Sequence, residues 1–187
     1  MPLPPPEERT LRAVGARRPS PGTPATATIV QTLRALGKES PALVAVFDAR
    51  AIAGERHLLS AWAHLGRARG RGEVRLRDRG AEFALYVAGD DQLPRALSKV
   101  GVSDATEQFV VVVEKPQDPV TVRARFGLKD DPSAYPRAVD ETTLDRLGIA
   151  PEERSAVPRS AWEGLVLERV ALVDLSPPAG RSGAEKP

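Results

Sequence analysis

An α/β (α+β) fold, with a mixed, mainly antiparallel sheet and helices packed on it, is what this chain's patterning predicts. Three observations carry that prediction. The β-branched run QFVVVVE at Gln108–Glu114 argues for a central strand. Apolar residues recur at helical spacing across 51–101, in segments that end at glycine. Short apolar runs at 10–16, 42–47 and 165–175 place further strands near the beginning, middle and end, with helices between them, as in a layered single domain.

Taken in order, residues 1–9 (MPLPPPEER) are proline-rich and expected to be disordered. TLRAVGA at 10–16 alternates well enough for a short strand, and the RRPSPGTPATA that follows reads as a loop. In TIVQTLRAL (28–36), Ile29, Leu33 and Leu36 share a helical face, and Gly37 stands where such a helix would stop. ALVAVF at 42–47 suits a buried strand. Asp48 can cap the longest helix, expected over 51–68, with Ile52, Leu58, Leu59, Trp62 and Leu65 on its apolar face. A second helix, AEFALYVA at 81–88, ends at Gly89. A third starts at Asp90 or Asp91, tolerates Pro94 in its first turn and stops at Gly101. Beyond QFVVVVE, Pro, Asp and Lys dominate 115–158, with short helices expected at Glu141–Leu147 and after Pro151. LVLERVALVDL at 165–175 reads as the last strand, closing a domain over 10–175, and 176–187 as a disordered tail.

Composition narrows the class. A length of 187 residues suits one domain. With 41% hydrophobic but only 4% aromatic residues, the core must be built from Val, Leu, Ile and Ala. The absence of cysteine excludes disulfides and thiolate metal sites. No apolar run approaches the ~18 residues that span a bilayer, and the amino terminus lacks the apolar stretch of a secretory signal. A soluble, cytoplasmic protein with no membrane partner is therefore expected. Net charge is only +2, so the distribution of charge matters more than its total.

A search for chemistry finds no catalytic constellation, and no enzyme activity or cofactor is expected. His57 and His64 are seven apart, whereas metal-ligating pairs on a helix stand three or four apart, and no other histidine or cysteine completes a zinc site. Packing or hydrogen-bonding roles are the expectation for both. Ser60 lies inside a helix without a G-x-S-x-G elbow. Asp90 and Asp91 fit helix capping, and the glycine-rich stretch at 66–72 matches no phosphate-binding loop. One basic feature stands out: Arg67, Arg69, Arg71, Arg75, Arg77 and Arg79, against Glu73 and Asp78, a formal +4. Such a run is either a solvated charged face or a patch that meets a nucleic-acid backbone. No aromatic residue lies between Arg67 and Arg79, so base stacking by this stretch is not expected.

Several blocks of the chain resemble one family. FDARAIAGERHLLSAWAHLGRA at 47–68 is similar to a strand ending in Phe-Asp-Ala that runs into a Gly-x-x-His-Leu-x-x-Ala helix, with Phe47, Asp48, Ala49, Gly54, His57, Leu58 and Ala61 at those positions. Glu82, Leu85, Tyr86 and Gly89 match a Glu-x-x-Leu-Tyr-x-x-Gly helix, and Gln92, Leu93, Ala96, Leu97 and Gly101 match the helix after it. QFVVVVE fits the next strand, Gly148-Ile149 with Glu152-Glu153 a short helical insertion, and 167–172 (LERVAL) the carboxyl-terminal strand. In this order the blocks resemble the TPRKB-type (PRPK-binding) regulatory subunits of KEOPS, the complex that installs threonylcarbamoyl on the adenosine beside the anticodon.

That resemblance implies a non-catalytic subunit that binds the complex's small atypical kinase/ATPase subunit and helps recruit tRNA by its 3′ CCA end. It implies a structural or interface role for Gly54, His57, Glu82, Tyr86 and Gly89. The family pattern has a basic residue before the glutamine where this chain has Asp91, so a phosphate contact there is lost or moved to Arg95 or the arginine stretch. The expected tRNA-contacting residues are Arg67, Arg69, Arg71, Gln92 and Arg95. The alternatives are a protein–protein interaction module unrelated to tRNA and, third, a small hydrolase or transferase with a dispersed site.

Overall fold

Val110, Val111, Val112 and Val113 are all fully buried, because helices cover both faces of the sheet that they cross. Their strand, β3 (Gln108–Glu114), is an inner strand of a four-stranded antiparallel sheet in the order β2-β3-β1-β4, with β1 at Leu11–Arg17, β2 at Val44–Asp48 and β4 at Lys129–Asp130. Register is set by pairs such as Leu11↔Glu114 and Val46↔Val111. The computed structural model describes residues 10–176; of the ends expected to be disordered, 1–9 and, apart from Ser176, 176–187 lie outside them. Among the described residues, eight α-helices and this sheet make the α+β fold expected from the sequence.

Alternation along the strands sorts side chains into two cores. Phe109, Val111, Val113, Val44 and Val46 pack with α1 (Thr26–Glu39) and α5 (Pro119–Arg125) on one face. Val110, Val112, Ala45 and Phe47 face the larger layer. That layer holds α2 (Glu55–Gly70), α3 (Arg79–Ala88), α4 (Leu93–Val100), α6 (Glu141–Leu147) and α8 (Trp162–Leu172), with the short α7 (Pro151–Ser155) against α8. Helix α3 is the most enclosed: every residue from Glu82 to Ala88 is buried.

Four expectations are corrected. Helix α1 runs on through Gly37 to Glu39, and α4 starts at Leu93 with Gln92, not Asp90 or Asp91, at its cap position. The stretch 165–175 is not a strand but the end of α8 followed by a 3-10 turn, Val173–Leu175. Its buried positions, Trp162, Val166, Val170 and Val173, recur at helical spacing, and the helix begins before the apolar run does. The long helix starts at Glu55 rather than 51: Asp48 accepts from Arg50 N–H at 3.0 Å and caps only a 3-10 turn, Ala49–Ala51. Gly54, at φ 102°, then redirects the chain into α2, so Ile52 precedes that helix and Leu59 points outward at 42% exposure. The sequence reading also missed α5 and β4. The expected helices at Glu141–Leu147 and after Pro151 are present, as α6 and α7. Among the described residues no helix is long and apolar enough to cross a membrane.

Candidate nucleic-acid interface

The arginine run is organised by two buried carboxylates supplied from elsewhere in the chain. Glu82, in the first turn of α3, is fully buried; it accepts from Arg69 Nε at 2.5 Å and from the Arg75 backbone N–H at 2.6 Å. Arg69 also donates to the Leu76 carbonyl at 2.8 Å, so Glu82 and Arg69 together fold the 71–78 loop back over α3. Glu114, at the end of β3 and equally buried, accepts from Arg79 at 2.9 Å. Arg75 donates to the Val173 carbonyl at 2.7 Å and anchors the loop to the carboxyl-terminal turn. Arg71 forks onto Glu73 at 3.0 and 2.7 Å, a contact that raises its pKa further.

What remains for a ligand is smaller than the formal +4 suggests: counting Glu82 and Glu114 lowers it to +2. Arg67 and Arg77 are the exposed arginines of this stretch that form no ion pair among the described residues. Arg67 and Arg69 border a cleft of about 540 Å³ together with Trp62, Ala63, Gly66 and Gly70 of α2 and with Arg79 and Glu114. Trp62 is partly buried and gives the cleft that Arg67 also borders an aromatic wall. No aromatic residue lies between Arg67 and Arg79 themselves. The preceding helical turn carries one: Trp62, Gly66 and Arg69, spaced four and three apart, share a side of α2, with Arg67 at the border of the same cleft.

Gln92 and Arg95 belong to a second group, on α4, and do not border the cleft. Asp90 gathers them: it accepts from the Gln92 N–H at 3.0 Å, from Arg95 at 3.0 Å and from Lys99 at 3.1 Å. Burial works to raise the Asp90 pKa, but the Gln92 amide, Lys99 and Arg95 outweigh it and hold the carboxyl below its usual range. Arg95 also reaches Asp91 at 2.9 Å, so two carboxylates already engage its guanidinium.

The remaining motif positions act as joints. His57 is fully buried; Nδ1 accepts from the Ala53 N–H at 3.1 Å and Nε2–H donates to the Val87 carbonyl at 2.9 Å. Both ring nitrogens are thus committed, and burial lowers the pKa to about 4, so the ring is neutral. Gly89 ends α3 at φ 59°, where an added Cβ would stand 2.6 Å from Arg169 Cβ on α8. Tyr86 is fully buried and stacks on His64 at 6.3 Å, while His64 Nδ1 meets Asp174 at 2.7 Å. Burial raises the Tyr86 pKa beside Arg75 and Asp174. Among the described residues no group of three His, Cys, Asp or Glu side chains could hold a metal ion. Comparison with protein-family models found no match, and a search of curated proteins likewise found none.

Proposed function

We propose that this chain is a non-catalytic, TPRKB-type regulatory subunit of a KEOPS complex, one that binds the small atypical kinase/ATPase subunit and recruits tRNA by its 3′ CCA end. The observation that carries the tRNA half of this reading is that Trp62 and Arg67 border one cleft. An unpaired strand is held by base stacking on an aromatic plane together with cations along its backbone, and that cleft offers both. The family half rests on the order of the sequence blocks up to Glu153; the last, 167–172, does not support it, since the resemblance makes it a strand and it lies in α8. In that reading Arg67 meets phosphate, Trp62 receives a base, and Arg69 holds the loop in place through Glu82 rather than touching RNA.

Size-exclusion chromatography of the purified chain with tRNA, and separately with a KEOPS kinase subunit, tests the proposal. Co-elution with both is expected, with tRNA lost when the CCA end is removed. A chain that co-elutes with neither is instead the interaction module of another kind that the sequence also allows.

A further inference from the structure

β2 is an edge strand, and among the described residues its outer edge is not closed by another strand. The Glu114 N–H donates to the Leu43 carbonyl at 2.9 Å, and with the register of the pair this turns the backbone groups of Leu43, Ala45 and Phe47 toward β3. The amides and carbonyls of Val44, Val46 and Asp48 therefore point the other way. At Val44 the edge is occupied: a Cβ on Gly80 would lie 2.4 Å from the Val44 carbonyl, so the start of α3 sits directly on it. At Val46 it opens into a groove of about 470 Å³ walled by α1, through Val30 and Leu33, and by α4, through Leu93 and Leu97. Leu97 is 49% exposed there, unusual for a leucine beside a strand edge.

A second hollow of about 360 Å³ adjoins the first, sharing Leu33, Asp78 and Gly80, and continues toward Ser40 and Arg77. Exposed Arg34 borders the first hollow and exposed Arg77 the second, and neither forms an ion pair among the described residues. The nearby acid, Asp78, is engaged in capping α3 through the Ala81 N–H at 2.6 Å. The groove thus combines unpaired strand backbone, apolar walls and cations at its rim.

We propose that this edge receives an extended segment of a partner protein, apolar at alternate positions and carrying a carboxylate, which pairs with the Val46 backbone as an added strand. Strand addition takes its affinity from main-chain hydrogen bonds and its selectivity from pockets for alternate side chains. Here Leu33, Leu93 and Leu97 take the apolar side chains, and Arg34 and Arg77 select the acid. The second hollow shares Arg69 and Arg79 with the Trp62–Arg67 cleft, but Trp62 and Arg67 border neither hollow, so loss of tRNA binding in an Arg67→Ala variant leaves this inference standing.

The test uses the full chain and synthetic hexapeptides that alternate Val or Leu with Thr and end in either Glu or Lys. Glu-ended peptides are expected to bind about tenfold more tightly than Lys-ended ones, and to slow hydrogen exchange at the Val46 amide. Methylating the peptide nitrogens that face β2 should abolish binding. The variant Leu97→Asp should abolish it too without lowering thermal stability, and the double variant Arg34→Glu/Arg77→Glu should reverse the preference to Lys-ended peptides. Equal affinity for both ends, tolerance of N-methylation, or no binding at millimolar peptide would overturn the assignment. So would a concentration-dependent dimer broken by Leu97→Asp, which would give the edge to a second copy of the chain.

Discussion

His57 shows how one side chain can stand in for several backbone partners. It satisfies an N–H before α2 and a carbonyl near the end of α3, in a place water does not reach. Because its folded pKa is about 4 against an ordinary 6.5, the unfolded chain binds a proton between those values that the folded chain refuses. Stability should therefore be complete above pH 6.5 and fall as the pH drops toward 4, by about 3 kcal/mol at most. Asp48 and Asp90, both held below 3.8, contribute a loss in the same direction only at lower pH, so the two windows separate. Urea unfolding measured from pH 7 to pH 4 should show this decline in the native protein and a flatter profile in His57→Gln. An equally steep decline in the variant would mean that another group titrates. The sequence supplied the structural role of His57 by elimination, since no third ligand existed. Its two partners were not legible, because they depend on how α3 ends beside α2.

Glycine marks the ends of α3 and α4 at Gly89 and Gly101 but not that of α1, which passes through Gly37 to Glu39. Gly89 announced the end of α3 and takes the left-handed conformation there. Its second duty, close contact with α8, could not be foreseen, because 165–175 was read as a strand. A short apolar run is compatible with either state, and only the register of Trp162, Val166 and Val170 against the core decides it. Gly89→Ala should thus cost more than the roughly 1 kcal/mol of a left-handed alanine. The new methyl would stand 2.6 Å from Arg169 Cβ and 3.1 Å from the Arg169 carbonyl oxygen, so α8 would have to shift to admit it. A loss of about 2–4 kcal/mol in urea unfolding is expected; a loss under 1 kcal/mol would show that α8 shifts freely. Helix α5 was missed although its start signal is present: Asp118 accepts from the Thr121 N–H at 2.8 Å and Pro119 follows it. The surrounding prolines hid that signal, and β4, two exposed residues long, has no apolar pattern to read.

Across the whole molecule, the arginine stretch divides into residues that hold the fold together and residues left for a partner. Six arginines in thirteen residues look equivalent in the sequence, because the acids that distinguish them, Glu82 and Glu114, lie outside the run and were not tied to it by any local pattern. Removing Arg69 would strand the fully buried Glu82, so Arg69→Ala should destabilise the protein by about 3 kcal/mol. Removing Arg67, exposed at the rim of the cleft, should leave the melting temperature unchanged. If the cleft holds an unpaired RNA end, Arg67→Ala should weaken binding to tRNAs of different sequence about equally. It should also flatten the dependence of log affinity on log salt by something near 0.7, the value for one phosphate contact on a single strand. Trp62→Leu should weaken binding without altering the salt slope, because stacking releases no counterions. The pair of variants therefore separates charge from stacking in filter-binding assays across a salt series. An Arg67→Ala protein with unchanged affinity and slope would reduce the run to a solubilising face, and the RNA end would have to sit elsewhere.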